Sequence, residues 1–196
     1  VKENIEYDID WDIKNPSSVE DEKGNPLLHQ WTGGTTEAGD RKTLVIKTAI
    51  PALGYRQIRI LNGDPLPAGD VVRAEGNILE NGFMRVRFSK DGTIGLFDKE
   101  SGKELFAGSE SGCRAVLIDD PSDTWSHDVK SFSNEIGFFS NAEFSILENG
   151  PLRAAIRVRT SWGNSFLAID WTLYSGSREL EAEVVLDWHE KMKMLK

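Results

Sequence analysis

Cysteine is almost missing from these 196 residues: Cys113 stands alone. No intrachain disulfide can form, and such a chain suits a reducing compartment, cytoplasmic by default. Long apolar runs are missing too. None approaches the ~20 residues that a membrane-crossing helix needs, and no signal-peptide pattern opens the chain. Basic charge is in deficit, with 23 Lys and Arg against 32 Asp and Glu and a net charge of -9. Nucleic acid and anionic membrane both call for a basic face, so neither is expected as a partner. The sequence contains no G-x-G-x-x-G, P-loop, G-x-S-x-G or H-E-x-x-H signature. It opens on Val1 rather than Met and reads as an excised piece of a longer protein.

Helical periodicity is the last absence, since no stretch of eleven or more residues repeats at 3.6. Alternation at period 2 takes its place. In "GFMRVRFS", Met84, Val86 and Phe88 oppose Arg85 and Arg87. In "PLRAAIRVRT", Ala154, Ile156 and Val158 oppose Arg153, Arg157 and Arg159. "LAIDWTLY" sets Leu167, Ile169, Trp171 and Leu173 on one side. "ELEAEVVLDW" sets Leu180, Ala182, Val184, Leu186 and Trp188 against Glu181, Glu183 and Asp187. Such runs read as half-buried strands of antiparallel sheets. Turn dipeptides fall between them: Asn81-Gly82, Asp91-Gly92, Ser101-Gly102, Asn149-Gly150, Gly163-Asn164 and Ser175-Gly176.

The class expected is all-β, an antiparallel β-sandwich. "LNGDPLPAGD" reads as a boundary. A small β-sandwich unit is placed at 1–64, a linker at 65–69 and a large β-sandwich, truncated at its C-terminal end, at 70–196. "KTLVIKTAIPALGYRQIRIL" reads as two strands joined at Pro51, and the first forty residues are polar and turn-rich. "ILENG" occurs at 78–82 and 146–150, either as a duplicated unit or as two hairpins that share an Asn-Gly turn.

Three places carry candidate chemistry. His29, in "GNPLLHQW", has no acidic neighbour and reads as a surface or interface histidine. "DWHE", at 187–190, offers an imidazole between carboxylates, as a zinc ligand or general acid/base would need. On a strand, however, Asp187 and His189 share one face and Trp188 and Glu190 the other. The competing reading is a core Trp188 at a strand end, with His189 and Glu190 bonded in turns. "IDDPSDTWSHDV", at 118–129, sets Asp123, Trp125, His127 and Asp128 in one loop after a strand. Acids accept hydrogen bonds from sugar hydroxyls and an indole stacks on the apolar face of a sugar ring, so this is a candidate carbohydrate subsite. The alternative is a solvated acidic loop with Trp125 tucked into the core. The spacing matches no EF-hand.

Several stretches, in unbroken order over 44–196, together resemble the C-terminal β-region of the family 38 glycoside hydrolases, the zinc-dependent α-mannosidases, of bacterial type. They are "IPALGYRQIRI", "ILENGFMRVRFSKDGTIGLFDKESGKELF", "DDPSDTWSHDV" and the run from "ILENGPLRAAIRVRT" through "LYSGSREL" to "DWHEKMKMLK". The resemblance implies a galactose-mutarotase-like large sandwich preceded by a small one. It implies a parent enzyme that cleaves terminal α-mannosyl bonds with retention, with zinc and the nucleophile in an N-terminal catalytic domain that this chain does not contain. No catalytic or metal-ligating residue is therefore carried over, and no cofactor is expected here. Asp123, Trp125, His127 and Asp128 are carried over as rim residues of the sugar pocket, although Asp128 stands where a small residue is expected. The partners implied are a mannoside or oligosaccharide and the N-terminal domain of the same chain. A sheet left incomplete at its end is expected to drive homo-oligomerisation. Two other readings stand beside this one: a stand-alone carbohydrate-binding sandwich that uses Trp125, and a self-sufficient mutarotase-type enzyme, which needs histidines and a carboxylate in one cleft.

Overall fold

Every regular element is a β-strand in the computed structural model, which describes residues 2–9 (backbone only), 17–33, 42–64, 71–106, 112–123 and 125–196. The expected linker at 65–69 lies outside the described residues. All sheets are antiparallel, in keeping with an all-β sandwich.

The main core lies between two layers. One is a five-stranded sheet ordered β10-β9-β8-β7-β6, with β6 Arg73–Glu75, β7 Ile78–Glu80, β8 Met84–Phe88, β9 Ile94–Asp98 and β10 Lys103–Glu104. The other is a four-stranded meander of β13 Ser140–Asn149, β14 Arg153–Trp162, β15 Ser165–Tyr174 and β16 Leu180–Asp187. Their facing apolar rows form one cluster that includes Leu79, Val86, Phe88, Ile156, Val158 and Leu173. The Phe88 and Trp171 rings meet across it at 5.9 Å. The alternation read from "GFMRVRFS" appears as strict buried/exposed alternation along β8. Each of the six turn dipeptides sits between two paired strands. Gly163 and Gly176, which close the β14–β15 and β15–β16 hairpins, have φ of 58° and 73°, where a Cβ is costly.

A three-stranded sheet, β12-β11-β17, holds β11 Val116–Asp119 between β12 Glu135–Phe138 and the chain end, β17 Lys193–Leu195. Its Leu117 packs with Phe139, Leu167 and Trp188. Ile169 touches both this cluster and the main one, so the two cores run together along the inner face of β15.

Upstream, the polar N-terminal stretch also makes strands. β1 Lys2–Ile9, β4 Lys42–Ala49 and β3 His29–Gly33 form one sheet, and β2 Ser17–Asp21 pairs with β5 Ile58–Asn62. β4 and β5 are the two strands expected around Pro51, but each pairs elsewhere and not with the other. Val19, Leu44 and Ile46 centre their core, with Trp31 and Ile60 packed on it.

Two expectations need correction. His29 is not a surface histidine. It is buried, with Nε2 2.8 Å from the Ser17 carbonyl oxygen and Nδ1 3.1 Å from that of Leu27. β16 is a strand, as its pattern predicted, but it is not half-buried. Burial fades across the sheet in register: Val158 is buried, Ile169 partly so, and Val184 is 58% exposed. Alternation specifies which side chains share a face, whereas burial requires an opposing layer, and this one stops short of β16.

Candidate functional site

The loop at 119–129 hangs from β11. Its base is clamped by the end of the chain: Asp119 pairs with Lys193, and the Asp120 N–H donates to the Met192 carbonyl at 2.9 Å. Reciprocal bonds join Val116 and Lys196 at 2.7 and 2.8 Å. Nothing in the sequence pattern marks residues 191–196 as the partner of this loop.

Within the loop, Asp123 is the organiser. Its Oδ1 accepts the backbone N–H of Trp125 at 3.0 Å and of His127 at 3.1 Å, the mark of an Asx-type turn. Its Oδ2 lies 2.7 Å from His127 Nδ1. The His127 backbone N–H, its ring, and the Trp125 and Ser126 N–H groups hold the Asp123 carboxyl below the usual carboxylate range. An ionised Asp123 can only accept at this contact, so Nδ1 carries the hydrogen and donates to Oδ2. Ser126 and Asp128 both adopt positive φ, 55° and 61°. Trp125 is 80% exposed, so it is not tucked into the core. The structure thus brings Asp123, Trp125 and His127 into one turn, while Asp128 stands outside this hydrogen-bonded set. Thr124 lies outside the described residues. A second carboxylate in the loop, Asp120, is bonded to the Ser122 N–H and hydroxyl and serves local structure.

"DWHE" proves to be a strand end. His189 Nε2 is 2.9 Å from Asp187 Oδ1, and the two share a face as expected. Trp188 packs on Phe139, with ring centroids 6.5 Å apart. Glu190 caps the β14–β15 hairpin: it accepts from the Asn164 N–H at 3.0 Å and the Ser165 hydroxyl at 3.1 Å. Among the described residues each histidine has its own partners, and no three His, Cys, Asp or Glu side chains are placed to hold a metal ion. The described residues therefore do not fit a zinc site.

Residues 79–196 match the family model "Glycosyl hydrolases family 38 C-terminal domain". No curated protein matches the chain. Two solved structures share its fold over 100% of its length. One is an alpha-mannosidase from Enterococcus faecalis V583, at 12% identity and TM-score 0.65. The other is a protein in the glycosyl hydrolase family 38 from Enterococcus faecalis, at 13% identity and TM-score 0.65. The chain spans 29% and 30% of the length of those two proteins.

Proposed function

The chain belongs to the family of glycosyl hydrolase family 38 C-terminal domains, and we propose that it is the β-sandwich portion of a retaining α-mannosidase. In that parent enzyme the sandwiches act as scaffold, and the loop at 119–129 forms part of the rim of the sugar pocket. The observation that supports the rim role is the turn built by Asp123. It holds an indole open to solvent and, two residues on, an imidazole oriented through Nδ1 by the same carboxylate. An open aromatic face beside oriented polar groups is the chemistry that recognises a pyranose ring. The zinc that the family resemblance implies would belong to the catalytic portion of the parent, as would the nucleophile. Hydrolysis of an aryl α-mannoside tests the reading. The natural-length protein should turn it over and the isolated 196-residue chain should not. Zinc-dependent turnover by the isolated chain that survives repurification would overturn the assignment. The first carboxylates to substitute would then be Asp119, Asp120, Asp123, Asp128 and Glu190.

The second reading, a stand-alone carbohydrate-binding sandwich, is favoured by the same exposure of Trp125. Binding of a mannose oligosaccharide by the isolated chain, lost in Trp125→Ala, would support it.

A further inference from the structure

The outer face of the four-stranded sheet, turned away from the main core, is not a plain solvated surface. Register explains its shape. Glu148, Ala155, Thr172 and Glu181 form one cross-strand row, in which the two central residues, Ala155 and Thr172, carry short side chains. The row on one side pairs Arg153 with Tyr174, and the row on the other aligns Arg157, Asp170 and Glu183. A low row between two tall ones is a trough, and a depression of about 330 Å³ lies there. That is the lower end of the size range of small-ligand sites.

Two-pronged ion pairs stiffen the trough, one closing the Glu148 end of the low row and one within a wall. Arg153 donates through Nε and Nη2 to Glu148 at 2.6 and 2.8 Å. Arg157 donates through the same two atoms to Asp170 at 2.6 and 2.7 Å. Such pairs hold their planes in one orientation and lose little freedom when a ligand arrives. Each carboxylate still has lone pairs to offer, so acceptors surround a floor whose reachable part is Thr172, since Ala155 is buried. Tyr174 lines one end with an aromatic ring and a hydroxyl.

We propose that this trough is a second carbohydrate-binding site, separate from the loop at 119–129, which takes a neutral α-mannoside chain across strands β14 to β16. The ligand class follows from the balance of groups. Guanidinium groups occupy Glu148 and Asp170, while Glu181 and Glu183 add two more carboxylates, so the trough is rich in hydrogen-bond acceptors, repels anionic ligands and suits a neutral polyol whose hydroxyls donate. No set of metal-ligating side chains converges among the described residues. Vicinal hydroxyls match the acceptors around the trough, and ring C–H groups match the Thr172 side chain and the Tyr174 ring. The choice of mannose rests on the function proposed above; the polyol chemistry does not.

Affinity electrophoresis of the natural-length protein in native gels that contain α-mannan tests this. The wild type should be retarded relative to a gel without polysaccharide. Thr172→Arg sets a long cation beside its cross-strand neighbour Glu181 and fills the trough at a half-exposed strand position, so the fold should be kept. Its retardation should correspond to roughly tenfold weaker binding. Glu181→Gln, at an exposed position, removes a charge without changing shape and should weaken retardation by less. Equal retardation of the wild type and Thr172→Arg would overturn the proposal, and so would a wild type that is not retarded. The two proposals fail separately. Hydrolysis of an aryl α-mannoside without retardation would sink the trough alone, whereas retardation without hydrolysis would sink the enzymatic reading alone.

Discussion

The side-chain oxygen of Gln30 accepts the backbone N–H of Leu152, 122 residues away, at 3.0 Å. It also accepts that of Arg153, at 2.9 Å. Gln30 is buried, and Gly150 makes room for it, since a Cβ at Gly150 would collide with the carboxamide. Lys47 adds a second tie through its bond to the Ser175 carbonyl at 2.9 Å. The N-terminal sheets are thereby fastened to the hairpin turns of the large sandwich. Gln30→Ala leaves two N–H groups without this partner, which costs about 1–3 kcal/mol when such groups are buried. Gly150→Ala should give a similar loss, because it evicts the same carboxamide. Urea midpoints that stay at the wild-type value in both variants would show that the tie carries no stability.

Glu80 predicts how the fold responds to acid. Burial by itself would push its carboxyl up, but hydrogen bonds from Arg85, Lys99 and Arg73 outweigh burial and bring it down to about 2. The ion-pair distances are 2.9, 2.7 and 3.0 Å. A carboxyl depressed in the folded state contributes stability above its unfolded value, near 4.3 for Glu. That contribution is lost as pH falls from there toward about 2. Glu80→Gln should be less stable at neutral pH by about 1–3 kcal/mol, and its stability should fall less steeply in acid. Parallel curves of urea midpoint against pH for wild type and variant would contradict this account.

Trp125 and His127 separate a rim role from a structural one. Both are exposed, so alanine at either should leave the unfolding free energy from urea titration within about 0.5 kcal/mol of wild type. In the natural-length protein each should lower kcat/KM for a mannoside roughly tenfold. If neither substitution changes kcat/KM, the loop is structural.

The open edge at β16 is expected to govern self-association. Val184 and Leu186 are 58% and 40% exposed on the face that continues the core row, and no strand pairs with the outer edge of β16 among the described residues. Such an edge is a template for a second chain. The isolated chain is expected to form dimers or larger species, and Val184→Lys to shift it toward monomer. Light scattering that shows only a 21.9 kDa species for the unsubstituted chain would refute the expectation.

Some of the candidate chemistry was legible before any coordinates. "DWHE" read as a strand end because Asp187 and His189 fall on one face at period 2, and the 2.9 Å pair bears this out. The two "ILENG" stretches read either as a duplicated unit or as two hairpins with a common turn, and each does precede a strand reversal. Their asparagines do more than turn the chain. Asn81 donates to the Tyr174 and Ser177 carbonyls at 2.8 Å, and Asn149 exchanges bonds of 2.9 and 3.0 Å with Ala74. Both stitch one sheet to the other, a role that depends on which hairpins face each other and leaves no periodic trace. Trp125 was ambiguous for the same reason, since an indole in a polar loop reads alike whether it points in or out.

Alternation and turn chemistry are local, so residues a few positions apart determined the strand class, the hairpins and the shared faces of β8, β14 and β15. The tertiary structure alone decided which rows are covered. It buried His29 and left Val184 in solvent, it brought the chain end under the loop at 119–129, and it sank Ala155 and Thr172 between two taller rows. Each of these depends on contacts between residues far apart in sequence. Such contacts follow from how whole sheets stack, and no pattern within one strand encodes that.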